Sequence, residues 1–384
     1  MIKYFIHYED SVNLIILVLS VLFFLYLFFE SINAKKYRKS FEHVIYVNGT
    51  RGKSSVTRLI DSVLRAGGKK VFSKTTGTEP IYIDTKGVEH LIKRRGCANI
   101  KEQLWTMKKA YKEGAEILVI ECMAVNPDLQ FISQNQMVQA DIGVITNVRH
   151  DHVEEMGDSL EQICDSLCST MPKNGVMFTA DKNMFQRIQR FGNKYNTQTY
   201  LSVPTDDNLF SDNYQLALDI GKYLHIDKTL ALQGIKNFKH DPYDLKIYAV
   251  GTHSFFINGL SINDSDSIKI VFSYLKLLPY LKNLNFVLLI NNRADRGMRA
   301  LEMIQVANEL KPDKTILMGS FANVLKKKIK HGDVEILSNR ADFDIERLKN
   351  TMIFSVGNIA NSGKELISYI ETKGTLYVRE NFAP

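Results

Sequence analysis

Gly49, Gly52, Lys53 and Ser54 stand close together in the stretch VIYVNGTRGKSSVTRLI, residues 44–60, directly after a run rich in β-branched residues. Such a run reads as a strand. A glycine-rich turn followed by a helix then aims several backbone N–H groups at one point, where the helix dipole adds positive potential. The two glycines allow the turn and the close approach of a phosphate. Lys53 offers a point charge to β- and γ-phosphates, and the Ser54 hydroxyl suits Mg²⁺. The usual loop has one more glycine, but Val47 occupies that position, which leaves a shorter GxxGKS cradle. ATP with Mg²⁺ is the ligand these residue types imply.

Two more polar residues close apolar runs. Glu121 follows Ile117–Ile120, and Asn147 follows Ile142–Thr146. Open parallel sheets bind ligands at the carboxyl ends of their strands, and a carboxylate there can hold Mg²⁺ against a nucleotide. Just beyond lies TNVRHDHVEEMG, residues 146–157, dense in His, Asp and Asn. His150 and His152 alternate, so one of the two is expected to face the site. Their spacing is not that of a zinc centre.

The elements that must carry these residues follow from periodicity. His43–Val47 predicts a strand and Ser54–Ala66 a helix, with Val56, Leu59, Ile60, Val63 and Leu64 on one face and Gly67 and Gly68 as its stop. Strands are expected at 117–120 and 142–146, and one helix over 216–235. A hairpin is expected within 247–260, and further strands at 286–290, 314–318 and 352–356. Strands alternating with helices predict an α/β fold: a parallel-sheet ATPase domain plus a smaller C-terminal α/β domain. The boundary is drawn between residues 245 and 260, giving segments 1–40, 41–250 and 251–384.

With 384 residues, 45% of them hydrophobic and 24% charged, the chain has the composition of a globular protein of two or three domains. A formal net charge of +7 suits either a polyanion or a surface of acidic lipid. Four cysteines without a CxxC pair are expected to be reduced, buried thiols. The run VNLIILVLSVLFFLYLFF, residues 12–29, is apolar all round and close to the length of a membrane span. Its acidic leader (Glu9, Asp10) and the want of a small-residue cleavage site favour a retained single-pass anchor over a signal peptide. The basic residues Lys35, Lys36, Arg38 and Lys39 that follow place the remainder in the cytoplasm.

GTRGKSS, the strand-end Glu121 and ITNVRHDHVEEMG, in this order, resemble the central domain of the Mur ligase superfamily, ATP-dependent amide ligases. The blocks YVNGTRGKSSVTRLI, KTTGTEP (74–80), ECMAVNPDLQ (121–130), TMPKNGVMFTA (170–180), INDSDS (262–267), NNRADRGMR (291–299) and SVGNIANSG (355–363) together resemble one branch of it. That branch is the ATPase-subunit family of poly-γ-glutamate synthases (PgsB/CapB), which also has an N-terminal membrane segment.

The resemblance implies a P-loop ATPase fold of Mur ligase type and a ligase that joins glutamates through an acyl phosphate. Gly49, Thr50, Arg51, Gly52, Lys53, Ser54 and Ser55 would hold the triphosphate. Ser54, Glu121 and His152 would hold Mg²⁺. Lys53, His152, Asn147 and Arg293 would take part in the chemistry. Asn263, Asp264, Arg293 and Asp295 would close over the nucleotide or acyl group from the smaller domain, and Thr76, Gly77 and Thr78 would form a nearby loop. The implied partners are glutamate, a growing polyglutamate chain, and multi-pass membrane and accessory subunits; no nucleic acid is expected, and a homo-oligomer is left open. Two alternatives are a ligase adding one amino acid to another acceptor and a membrane-tethered ATP-binding scaffold without ligase activity. One departure from the superfamily stands out. Many Mur ligases carry a carbamylated lysine about fifteen residues after the Asp-His pair, but here that place falls near Leu167 in CDSLCST, and Lys173 comes too late. A domain for binding a nucleotide-sugar is also lacking, its place taken by the apolar helix.

Overall fold

The computed structural model describes residues 2–77, 79–94, 96–205, 210–240, 244–294, 297–338 and 343–378. Thr78 and Asp295, both named above as candidate site residues, lie outside them. The chain opens with one helix, α1 (Ile2–Lys39), whose side chains from Val12 to Phe29 are almost all exposed. It is the one described helix long and apolar enough to cross a membrane.

The first sheet holds eight described strands. In chain order they are β1 (His43–Asn48), β2 (Val71–Thr75), β3 (Ile81–Ile83), β4 (Glu89–Leu91), β5 (Ile117–Glu121), β6 (Ile142–Ile145), β7 (Val176–Thr179) and β8 (Gln198–Leu201). Their spatial order is β4-β3-β2-β5-β1-β6-β7-β8. Strands β2, β5, β1, β6, β7 and β8 pair in parallel, and β3 and β4 add an antiparallel edge. Parallel strands covered on both faces read as unbroken apolar runs, which is why β1, β5 and β6 were visible in the sequence.

The helix after the first strand, α2 (Lys53–Ala66), buries the expected stripe of Val56, Leu59, Ile60, Val63 and Leu64 against the sheet. Each such side chain contributes roughly 1.5–3 kcal/mol of transfer free energy. Gly67 ends the helix, its N–H bonded to the Val63 carbonyl at 3.1 Å. It must be small, because a Cβ there would stand 2.4 Å from Ile226.

The second sheet has seven described strands: β9 (Lys246–Val250), β10 (Ser254–Asn258), β11 (Asn285–Asn292), β12 (Lys314–Gly319), β13 (Asp333–Ile336), β14 (Thr351–Gly357) and β15 (Thr375–Val378). They lie in the order β13-β12-β11-β14-β10-β9-β15, parallel from β13 to β10, with β9 and β15 antiparallel at the edge.

Three expectations change. Residues 216–235 are not one helix but parts of two, Ser211–Tyr223 and Lys228–Asn237. His225 turns the chain at φ 60°, and the Asp227 carboxylate caps the second helix by accepting from the N–H groups of Thr229 and Leu230. Both strands of the expected hairpin belong to the second sheet, so the chain passes between sheets ahead of Lys246 rather than at residue 250. Of the four free cysteines, Cys122, Cys164 and Cys168 are buried as expected, but Cys97 is exposed.

Candidate active site

The phosphate-type loop sits where three strand ends coincide. Gly49 has φ +130°, and a Cβ on it would fall 2.0 Å from the Thr146 hydroxyl oxygen. Gly52 has φ +78° and precedes the first turn of α2. Residues leaving β6 brace this turn. Thr146 donates its hydroxyl to the Arg51 carbonyl at 2.5 Å. The Asn147 side chain accepts from the Thr50 hydroxyl (2.7 Å) and the Arg51 N–H (3.0 Å), and donates to the Arg51 carbonyl (3.1 Å). Asn147 therefore shapes the loop.

Lys53 bends back over the loop and donates to the carbonyls of Gly49 (2.7 Å) and Thr50 (3.2 Å). Burial pulls its ammonium below the ordinary lysine range, opposed by the carboxylates of Glu121 and Asp151 and reinforced by Arg51. Glu121 is itself buried; its carboxylate accepts from the Ser54 hydroxyl at 2.8 Å and from the Thr76 N–H at 2.7 Å. A hydroxyl and a carboxylate side by side at the first turn of α2 are the hard oxygen donors that Mg²⁺ takes, the rest of its shell coming from water and phosphate. The residues present thus fit the metal. Ser55 lies in the same helical turn, and Gly77 is exposed just beyond Thr76.

His152 ends the polar block at φ 49°, its Nε2 3.9 Å from Asp151. Among the described residues no three His, Cys, Asp or Glu side chains converge as a metal site, so any His152 contribution would add to the Ser54–Glu121 pair alone. Leu167, at the position of the missing lysine, is buried in apolar packing, and Lys173 is exposed.

The second sheet's unit closes on the loop through charged groups. Arg51 pairs with Asp264 at 2.7 Å and Asp151 at 3.1 Å, and donates a short hydrogen bond to Asn263. Arg299 reaches Asp151 at 3.1 Å from the other side. Arg149 donates to the Ser267 hydroxyl at 2.8 Å, and Asp264 caps the helix Ser265–Leu275 through the Ser267 N–H. Burial alone would raise the Asp151 carboxyl. Arg51, His152, Arg299 and Lys53 outweigh it and hold the group below the usual carboxylate range. Arg293 lines a small pocket with Asn263, Asn292, Arg299 and Asn358.

Asn263, Asp264 and Arg51, named from the sequence, do meet, yet as a junction between units. The centre of that junction, Asp151 with Arg299, was not singled out, although both lie inside the blocks HDH and RGMR. No local signal in the sequence links those two blocks.

Parallel sheets with a phosphate loop at the strand ends and a second α/β unit closing over it define a class. The Mur ligase middle-domain model matches residues 47–255. Two solved folylpolyglutamate synthases share the fold. The Escherichia coli FolC complex with ADP superposes with a TM-score of 0.64 at 15% identity, covering 89% of this chain and 93% of that one. The bifunctional folylpolyglutamate/dihydrofolate synthase of Yersinia pestis, complexed with AMPPNP and Mn ion, gives 0.67 at 12% identity, covering 88% and 91%. The chain is thus an ATP-dependent amide ligase of Mur type.

Its last third narrows this further. The poly-gamma-glutamate synthase CapB C-terminal domain model matches residues 245–373. PGA synthase CapB of Bacillus subtilis (strain 168) is 33% identical over 85% of this chain and 89% of its own length. The capsule biosynthesis protein CapB of Bacillus anthracis is 32% identical over 85% and 76%. The chain belongs to the CapB family of poly-γ-glutamate synthases.

Proposed function

We propose that this protein extends a poly-γ-glutamate chain at the cytoplasmic face of a membrane, using ATP to activate one γ-carboxylate per bond. A carboxylate is a poor electrophile in water. Its oxygen therefore first attacks the γ-phosphorus of ATP, ADP leaves, and an acyl phosphate forms. The amine of the next glutamate, having lost one proton to solvent, attacks the acyl carbon. Phosphate leaves as hydrogen phosphate, taking up the second proton that the nitrogen gives up, and the amide is made.

The loop N–H groups and the start of α2 would cradle the triphosphate. Lys53 would exchange its two loop carbonyls for phosphate oxygens, and so place its charge on the group being transferred. Ser54 and Glu121 would hold Mg²⁺, which when bound neutralises charge on the phosphate oxygens. The Arg51–Asp151–Arg299 junction would keep water from the acyl phosphate by holding the second unit against the loop. Arg293, on that unit, would contact the acyl group or the nucleotide. The observation that carries the reading is the half-buried Ser54 hydroxyl on the buried Glu121 carboxylate beside Lys53, in a chain of this family.

α1 would be a single-pass anchor, and multi-pass and accessory subunits would receive the polymer; the positive net charge suits a polyanionic product. The test is glutamate-dependent ATP hydrolysis and a γ-linked polymer from membranes that hold the assembled complex. Lys53→Ala should lower both by about 10²–10³-fold, the usual weight of one charge-stabilising donor. Hydrolysis indifferent to glutamate, or untouched by the substitution, would overturn the proposal.

A further inference from the structure

The stem of α1 lies beside the helix Glu102–Lys112. At one end the rings of Tyr37 and Tyr111 are 5.2 Å apart, with Lys36 over Tyr111. At the other, Lys101 stands 3.5 Å from Glu30 and 5.5 Å from the centre of the Tyr26 ring. The intervals 26–37 and 101–111 each climb about 15 Å at helical rise, so the two helices run alongside each other in the same direction. The globular part therefore rises past the basic cluster at residues 35–39 and reaches the level of Tyr26.

Tyr26 lies inside the apolar run Val12–Phe29. That run is about 27 Å long as a helix, against a hydrocarbon core of about 30 Å. If α1 spans the membrane it has no turn to spare, and the bilayer boundary falls at about residues 29–31, where Glu30 meets Lys101. What stands beside those residues then sits at headgroup level. It comprises Lys101, the residues Ile92, Lys93 and Arg94 that share a groove with it, and Trp105 one turn further on.

We propose that this face docks on the anionic headgroups of the membrane that holds α1. Leu91 and Trp105 are 52% and 43% exposed, and they line one groove with Lys93, Arg94 and Lys101. An exposed indole among cations is the composition of a protein surface at a lipid interface. The two acids of the face offset part of this charge, but the cations Lys74, Lys93, Arg94 and Lys101 outnumber them. Glu30 accepts from the Tyr26 hydroxyl and pairs with Lys101, and Glu102 pairs with Arg94 and the buried Lys74. Docking would fix the tilt of the globular part, and so the direction in which its strand ends face the bilayer.

The inference rests on α1 being a membrane span, and one experiment separates the two. Trp105 is the only tryptophan in the chain, so its fluorescence reports on this face alone. The full chain is reconstituted into vesicles of phosphatidylcholine with or without phosphatidylglycerol, the lipids carrying bromine near the headgroup. Co-flotation resistant to alkaline extraction reports the span; quenching of Trp105 reports docking. The expected result is quenching in anionic vesicles that falls in zwitterionic ones, in high salt, and in Lys93→Glu/Lys101→Glu. Each lysine near an anionic surface weighs about fivefold in the docking equilibrium, so losing both shifts it about 25-fold, and the two added carboxylates take the shift beyond that.

Chain that floats with anionic vesicles while Trp105 stays unquenched overturns the docking but leaves the span intact. Quenching equal in both lipids and in the variant overturns the electrostatic basis. Trp105 shielded only when another membrane protein is added assigns the face to a subunit and overturns the proposal. Failure to float at all removes the premise and the proposal together.

Discussion

Gly49→Ala tests whether the loop geometry holds the nucleotide. The new Cβ would lie 2.0 Å from the Thr146 hydroxyl oxygen and 2.8 Å from the Thr146 nitrogen. The hydroxyl cannot swing aside freely, because it donates to the Arg51 carbonyl. Holding an L residue at φ +130° costs roughly 1–3 kcal/mol. Overpacking adds roughly 1–3 kcal/mol. The strain falls on the loop that would cradle the nucleotide, so most of this penalty should appear in ligand affinity rather than in global stability. Even the lower sum, about 2 kcal/mol, weakens binding of a non-hydrolysable ATP analogue by about 30-fold, read by titration calorimetry with Mg²⁺. Thr146→Ala in the same background removes the hydroxyl contact but not the backbone strain, so it should restore part of the loss. An affinity unchanged in Gly49→Ala, or fully restored by the second substitution, would refute the reasoning.

Asn147→Ala deletes three hydrogen bonds to the loop at roughly 0.5–1.5 kcal/mol each. Nucleotide affinity should drop while the GTRGKS sequence stays intact, and calorimetry reads the result. Glu121→Gln keeps the Ser54 and Thr76 contacts in shape but removes the charge, and should raise the Mg²⁺ concentration needed for nucleotide binding by roughly 10–100-fold. Asp151→Asn leaves Arg51 and Arg299 without their shared carboxylate. The folded Asp151 pKa is depressed, so its stabilisation is present above the ordinary carboxylate value near 4 and is lost as pH falls through the lower folded value. Thermal unfolding should therefore separate wild type from Asp151→Asn at neutral pH, and the gap should close in acid. A gap independent of pH would exclude Asp151 as the charged centre of the junction.

The central strands and the phosphate loop were legible because each is specified locally. β1, β5 and β6 are short runs whose interiors are apolar, and α2 carries its stripe within fourteen residues with its glycine stop directly after. β3, β4 and β8, at the sheet's margins, are short and partly exposed. β2 and β7, though fully buried, were not legible as strands either: β2 carries Ser73, Lys74 and Thr75, and β7 has only four residues. The break between residues 223 and 228 was hidden for a related reason: no glycine or proline interrupts the helical pattern there, and an Asp cap and a left-handed His make the turn instead. The Asp151–Arg299 pair joins residues 148 apart in sequence, and depends on how the two sheets are placed. Local pattern holds no information about that distance.

Register explains why the loop can be short. β1 pairs with β5 so that Val47 lies opposite Glu121, and with β6 so that Asn48 lies opposite Ile145. The strand thus runs one residue past the position where a longer loop would already have turned. Val47 is fully buried in the apolar core, and a glycine there would leave a void in it. Asn48 is also buried; its amide donates to Gln130 at 2.7 Å and Thr170 at 3.2 Å, which ties the strand end from beneath. Thr146 and Asn147 then bind the turn from the side. A wider glycine loop folds largely on its own backbone, whereas this one borrows its shape from the neighbouring strand end. Glu121 on one side of β1 and the residues following β6 on the other are therefore parts of the cradle itself, and the missing glycine records where that support came from.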